Sequence, residues 1–268
     1  MRTIHTRIMG ILNVTPDSFS DGGNFHSVDK AVQHATELIE AGADILDVGG
    51  ESTRPYAEPV SLEDELARTV PVIKAVRELH STPISIDTTK AEVARQALAA
   101  GADIINDISA LNHDPEMIKV VLESDAPIII MHMQGTPADM QNRPAYEDVI
   151  EEILAFFEER LEWMTSQGVA RSRIIVDPGI GFGKTLAHNL AIIKHLDRFR
   201  SLGQQVLLGH SRKSFLGLLT GQEADQRDLS TAVVSAFSVQ NMVDIIRVHN
   251  VDATRQALQV AEAILETP

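Results

Sequence analysis

Cysteine is missing from all 268 residues, which excludes disulfides, thiolate metal sites and a cysteine nucleophile, and suits a reducing compartment. Long apolar runs are missing too. The stretch from Met1 to Gly10 alternates charged and apolar residues, which fits neither a signal peptide nor a transmembrane span, so a soluble cytoplasmic protein is expected. Basic residues are the minority: 23 Lys and Arg stand against 38 Asp and Glu, a formal net charge of −15. A nonspecific nucleic-acid surface needs a basic stripe, and this balance argues against one. Any anionic ligand must then be met by a local positive site made of a few cations, a metal ion or helix N-termini. No linker or low-complexity tract divides the chain. With 44% apolar residues it can build one sizeable core, and a single domain over 1–268 is expected.

What is present is an alternation. Short apolar runs at 7–12, 45–48, 84–86, 104–105, 127–131, 174–176, 205–208 and 245–248 read as strands buried on both faces, the pattern of a covered parallel sheet. Helical periodicity fills the intervals. One helix is expected from about residue 27, the next from Ser61 with Pro71 kinking or splitting it, and a third behind a capping box of Thr89 and Glu92. Asp114 with Pro115 reads as a cap and first helical residue. Further helices are expected from about 146, over 230–239, and at the C-terminus. Eight strands and eight helices point to a (β/α)8 TIM barrel, with an open doubly wound sheet as the alternative. A barrel gathers its chemistry at the C-terminal strand ends. Seven strands here end near a polar side chain: Asn13, Asp87, Asn106, His132, Asp177, Lys213 and His249.

The sixth run enters Asp177-Pro178-Gly179-Ile180-Gly181-Phe182-Gly183-Lys184. A Walker A loop would need glycine where Pro178 stands, and a dinucleotide fingerprint would need glycine where Lys184 stands, so neither applies. Asp177 remains as a sequestered carboxylate whose two oxygens match two adjacent N–H donors of a planar heterocycle; the plainer alternative is a turn-forming cap. Asp87 and Asn106 suit hydrogen-bond reading of a polar ring, or loop capping. Arg247 lies inside an apolar strand and must find an anion or a carboxylate. His249, two residues on, points to the same side. That pair, with a metal on Asn13, could hold a diphosphate. A dinuclear metal hydrolase would need His-x-His where Asn13-Val14-Thr15 stands. An imine-forming lysine is disfavoured at Lys213 by its polar neighbours in Ser211-Arg212-Lys213-Ser214.

These motifs, together with Asn13-Val14-Thr15-Pro16-Asp17-Ser18, Gly50-Glu51-Ser52-Thr53-Arg54-Pro55, Met131-His132-Met133-Gln134-Gly135 and Arg247-Val248-His249, resemble the dihydropteroate synthase family, the sulfonamide targets of folate biosynthesis. They follow the family's order over essentially the whole chain. The resemblance implies joining a 6-hydroxymethyl-7,8-dihydropterin diphosphate to p-aminobenzoate, with release of pyrophosphate, in a cytoplasmic homodimer. It implies a pterin pocket of Asp87, Asn106, Asp177 and Lys213, a Mg²⁺ ligand in Asn13, and diphosphate contacts from Arg54, Arg247 and His249. Thr53 would be a loop contact, and Pro55, Phe182 and Ser214 would form the p-aminobenzoate site. A pterin-binding methyltransferase barrel is the alternative; it would share the Asp and Asn strand ends but have no use for a diphosphate clamp. Tyr56, His210 and Asn250 depart from the family's usual residues.

Overall fold

The computed structural model describes residues 5–15, 24–52, 59–136 and 140–267. The readings placed on Thr53, Arg54, Pro55 and Tyr56, and on most of the loop after the first strand, lie outside the described residues. Eight strands form one closed parallel barrel in chain order: β1 (Arg7–Asn13), β2 (Ile45–Gly49), β3 (Ile84–Asp87), β4 (Ile104–Asp107), β5 (Ile128–Met131), β6 (Ile174–Asp177), β7 (Gln205–Leu208) and β8 (Ile245–Val248). The circle closes where β8 pairs with β1, Met9 lying opposite Arg247. The barrel expectation therefore holds and the open sheet does not.

Alternate residues of each strand face the barrel axis. Met9, Ile45, Ile104, Ile129, Ile175, Leu207 and Ile245 meet there in an apolar cluster separate from the larger one between strands and helices. This cluster is a floor. Two residues further along, on the same side, stand Ile11, Asp47, Asn106, Met131, Asp177, Gly209 and Arg247. The strand period thus sets a polar layer directly on an apolar one.

The described residues contain nine α-helices, one more than the alternation implied: α1 (Asn24–Glu40), α2 (Leu62–Leu79), α3 (Ala91–Ala99), α4 (Met117–Glu123), α5 (Val149–Ser166), α6 (Leu186–Lys194), α7 (Ser214–Thr220), α8 (Asp228–Val239) and α9 (Val251–Glu266). The extra one is α7, a short helix between β7 and α8. Ser61 caps α2 by accepting from the Asp64 N–H at 3.1 Å, as expected. Pro71 does not split α2. Both Pro71 and Ala67, whose carbonyl loses its partner, lie on the exposed face, where water replaces the missing bond. The Thr89 capping box is not formed: α3 begins at Ala91, and its first N–H donates to Asp114 at 2.8 Å. Asp114 also accepts from the Glu116 N–H at 2.9 Å, and α4 starts later than expected. Asp148 caps α5, which begins at Val149, three residues after the expected start. No helix among the described residues is long and apolar enough to cross a membrane.

The floor supplies a stability prediction. Ile129 is fully buried in it. Ile129→Ala should lower unfolding free energy by about 2–5 kcal/mol in urea titration with an unchanged slope, the cost of an unfilled cavity.

Candidate functional site

Asp47, fully buried on β2, sits at the centre of the polar layer. It accepts from Arg247 Nε at 2.6 Å, and Asn106 Nδ2 approaches both its oxygens at 3.4 Å. Arg247 Nη2 donates to Asp87 Oδ2 at 2.7 Å. Arg247 therefore reaches from β8 past β1 to grip β2 and β3 together. Burial works against its charge, but Asp47 and Asp87 outweigh burial and its pKa rises. Burial pushes the Asp87 carboxyl up to about 7 against the pull of Arg247, with Asp47 adding to the rise.

Sequence reasoning missed Asp47. Its signal is the same as that of Arg247: a charge inside an otherwise apolar run, here 45–48, needs a partner. The cation that pairs with Asp87 and Asp47 comes from a strand 160 and 200 residues away in the chain.

Asp177 ends β6. Its Oδ1 accepts from the Gly179 N–H at 2.8 Å, and its carbonyl accepts from His132 N–H at 3.0 Å. Burial raises its pKa, with Lys213 opposing most strongly. Lys213 is the counterpart: burial lowers it to about 8, and Asp177 opposes. Lys213 Nζ donates to the Ile180 carbonyl and stands 4.3 Å from the centre of the Phe182 ring. The charged groups around Lys213 are Asp177, Arg247 and Asp87 rather than its neighbour Arg212 in the sequence. Arg212, at φ 57°, turns away to a two-point bond with Asp228 at 2.6 and 2.9 Å, leaving Lys213 half-buried against Ile180 and Phe182.

Two glycines keep this space open. A Cβ on Gly49 would stand 3.7 Å from Asn13 Oδ1 and 3.8 Å from Asp87 Oδ2. One on Gly209 would stand 3.4 Å from Asp177 Oδ2 and 4.0 Å from Arg247 Cδ. Asn13, Asp87, Asn106, Asp177, Lys213, Phe182 and Arg247 thus border one recess over the floor. His249, just past β8, has Nδ1 2.9 Å from Ser211 Oγ, and its N–H donates to the same oxygen at 3.2 Å. Ser214 opens α7 on the exposed side. Thr53, Arg54 and Pro55 lie outside the described residues.

Two of the departures have local explanations. His210 is fully buried, with Nε2 3.0 Å from the Thr231 carbonyl and 3.1 Å from Ser235 Oγ on α8. Asn250 caps α9 through the Ala253 N–H at 3.0 Å, and its Nδ2 donates to Asp228 at 2.9 Å. An aspartate at 250 would set a second carboxylate against Asp228.

The family described as pterin binding enzyme matches this chain over residues 9–249. The chain is 47% identical over 260 residues to a dihydropteroate synthase of Synechocystis, covering 97% of this chain and 90% of that protein. Its structure is similar to a Yersinia pestis dihydropteroate synthase solved with a sulfonamide drug complex, with a TM-score of 0.94 and 40% identity, covering 100% of this chain and 97% of the other. A Xanthomonas albilineans dihydropteroate synthase with 4-aminobenzoic acid matches with a TM-score of 0.93 and 44% identity, covering 98% and 94%. These relatives agree with the synthase reading of the motifs and not with the methyltransferase alternative.

His210 generates a pH prediction. Burial lowers its imidazole to about 4, against an unfolded value near 6.5. The unfolded chain then binds the proton first as pH falls, so the neutral ring's contribution is complete above about 6.5 and declines below it. Wild type should lose about 2 kcal/mol from this residue between pH 6.5 and 5. His210→Leu should lack that component, so the stability gap between the two proteins should shift by that amount in urea titrations at the two pH values.

Proposed function

The chain belongs to the dihydropteroate synthases among the pterin-binding enzymes, and from that membership we propose how its strand ends carry out the reaction. It condenses 6-hydroxymethyl-7,8-dihydropterin diphosphate with p-aminobenzoate to give 7,8-dihydropteroate and pyrophosphate. The observation that carries the assignment of residues is the recess itself, bordered by two acids, two amides and two cations over an apolar floor.

A pterin edge presents adjacent N–H donors, and Asp177 at the end of β6 has two oxygens to receive them. Asn106 and Asp87 read further polar atoms of the ring, while Lys213 donates from the facing side. The buried setting makes these bonds strong, because water does not compete. Arg247 and His249 meet the diphosphate together with Arg54 and Thr53. As the C–O bond breaks, its electron pair leaves on the diphosphate and the methylene carbon becomes electron-poor. Asp177 stabilises the cationic character that develops on the ring. The amine lone pair of p-aminobenzoate forms the new C–N bond, and its proton passes to water or to the departing pyrophosphate. No covalent enzyme intermediate and no strong base are required. Phe182 and Pro55 flank the aromatic amine, and Ser214 receives its carboxylate.

Mg²⁺ fits this donor set. Asn13 Oδ1 and Asp87 Oδ2 both face the place where Gly49 has no side chain. Mg²⁺ commonly takes one or two protein oxygens and completes its shell with phosphates and water. Asp87 Oδ2 already accepts from Arg247 at 2.7 Å, so Asn13 and the substrate's phosphates would hold the ion. When bound it would neutralise charge on the leaving diphosphate.

A homodimer is supported by an apolar face on α8 and α9, which pack on each other. Leu229, Val233 and Phe237 recur every four residues along α8, and Val260 and Ile264 along α9; Leu229 is 79% exposed and Ile264 68%. Such a patch marks an interaction surface. A reducing, cytoplasmic setting agrees with the lack of cysteine.

Supplying the pterin diphosphate, p-aminobenzoate and Mg²⁺ should yield pyrophosphate and dihydropteroate in equal amounts; no product from folded protein would refute the assignment. Asp177→Asn should weaken pterin binding by calorimetry about 10- to 100-fold, the loss of bonds to a charged acceptor, with an unchanged circular-dichroism spectrum. Unaltered affinity would remove Asp177 from the pterin site. Val233→Glu with Ile264→Glu should sediment as a monomer where wild type sediments as a dimer; identical sedimentation of the two would place the interface elsewhere.

A further inference from the structure

Lys184 carries a buried ammonium that the reaction above does not use. It is 3% exposed. Its Nζ lies 3.0 Å from His132 Nδ1, 3.3 Å from the His132 carbonyl and 3.0 Å from the Phe182 carbonyl. None of these three partners is a carboxylate. Burying an ammonium against neutral acceptors is costly, and a methionine would fill nearly the same volume without that cost. Stability therefore does not explain the residue.

Its partners do. Between 179 and 183 every carbonyl of the β6 loop is taken. Gly179 accepts from Phe182 N–H at 3.1 Å, Ile180 from Lys213, Gly181 from Gln141 Nε2 at 2.7 Å, and Gly183 from the Tyr146 hydroxyl at 2.9 Å. Lys184 completes the set at Phe182. The other end of its grip is equally fixed. The His132 ring packs edge-on to Phe156 at 5.0 Å between centres, and the His132 carbonyl closes on Gly179, where an added Cβ would stand only 2.0 Å away. Gly179 adopts φ 71°, open to glycine without strain. Lys184 is thus the cross-strut between the end of β5 and the one aromatic side chain of the β6 loop.

We propose that Lys184 is a positioning residue for the aromatic-amine substrate: it holds the Phe182 carbonyl against His132 and so fixes the Phe182 ring, with the Lys213 ammonium over it, as the wall that p-aminobenzoate packs against. The inference rests on the assignment of Phe182 to that substrate. Lys184 itself touches neither substrate in this arrangement, so its removal should act on one KM rather than on chemistry.

The test is steady-state kinetics and thermal melting of the full-length protein with Lys184→Met and Lys184→Gln. Lys184→Met should melt at or above the wild-type temperature. It should raise the KM for p-aminobenzoate about tenfold or more, with the KM for the pterin diphosphate within about twofold and kcat within about threefold of wild type. Lys184→Gln, which keeps an N–H donor without the charge, should fall between. An unchanged p-aminobenzoate KM, an equal rise in both KM values, or failure of both variants to fold would each overturn the proposal. Absence of dihydropteroate from wild type would instead overturn the functional reading, and this inference with it.

Discussion

The two-point grip of Arg247 on Asp47 and Asp87 is the constraint on which the interior depends. Two carboxylates and a guanidinium have been taken out of water inside a barrel, and the loss of hydration is large. It is offset because the three charges touch at 2.6 and 2.7 Å and because Asn106 lends Asp47 a further donor. The arrangement cannot be dismantled one residue at a time. Without Arg247, two acids would face each other buried and unpaired. Without Asp47, the guanidinium would lose the partner that holds its Nε, and Asn106 would lose its acceptor. The bond pattern also ties β8 to β2 and β3 across β1, so the same contacts that shape the recess help to close the barrel.

The floor makes such a polar layer tolerable. Ile45, Ile104, Ile175 and Ile245 lie two residues before Asp47, Asn106, Asp177 and Arg247 in their strands. One strand repeat therefore separates close-packed aliphatic side chains from a hydrogen-bonding surface. Water is excluded from below, and each polar atom of the layer has to be satisfied laterally or by what enters from above. Gly49 and Gly209 are part of this design. Side chains there would occupy the space between Asn13 and Asp87, and between Asp177 and Arg247, and the recess would be filled by the protein itself.

How much of this could be read from the sequence depended on the range of the interaction. The barrel was legible because each strand is a local apolar run and each outer helix a local stripe. Asp177, Asn106 and Asp87 were legible because they end such runs. Asp47 was legible only as a charge that needs a partner among Ile45, Leu46 and Val48; that the partner is an arginine 200 residues later was not. Local rules also failed where a distant residue did their work. Asp114, from the next loop, takes the N–H that Thr89 was expected to cap. Arg212, adjacent to Lys213 in sequence, turns out to Asp228, and the charges that Lys213 meets come from Asp177, Arg247 and Asp87 on other strands. Pro71 failed to break α2 because the bond it removes faces water, a matter of burial that only the packed structure decides.

The charge balance poses the remaining question of how so acidic a chain receives anionic ligands. Its cations at the recess are of two kinds. Arg247 is already neutralised by Asp47 and Asp87, and its charge is secure. Lys213 is not: burial lowers it to about 8, with the charge of Asp177 only partly opposing. A partly buried cation short of negative charge is stabilised by an anion that arrives beside it. In a chain of net charge −15 the recess therefore sets one under-compensated cation, Lys213 on the β7 side, against an arginine whose own acids fix it in place.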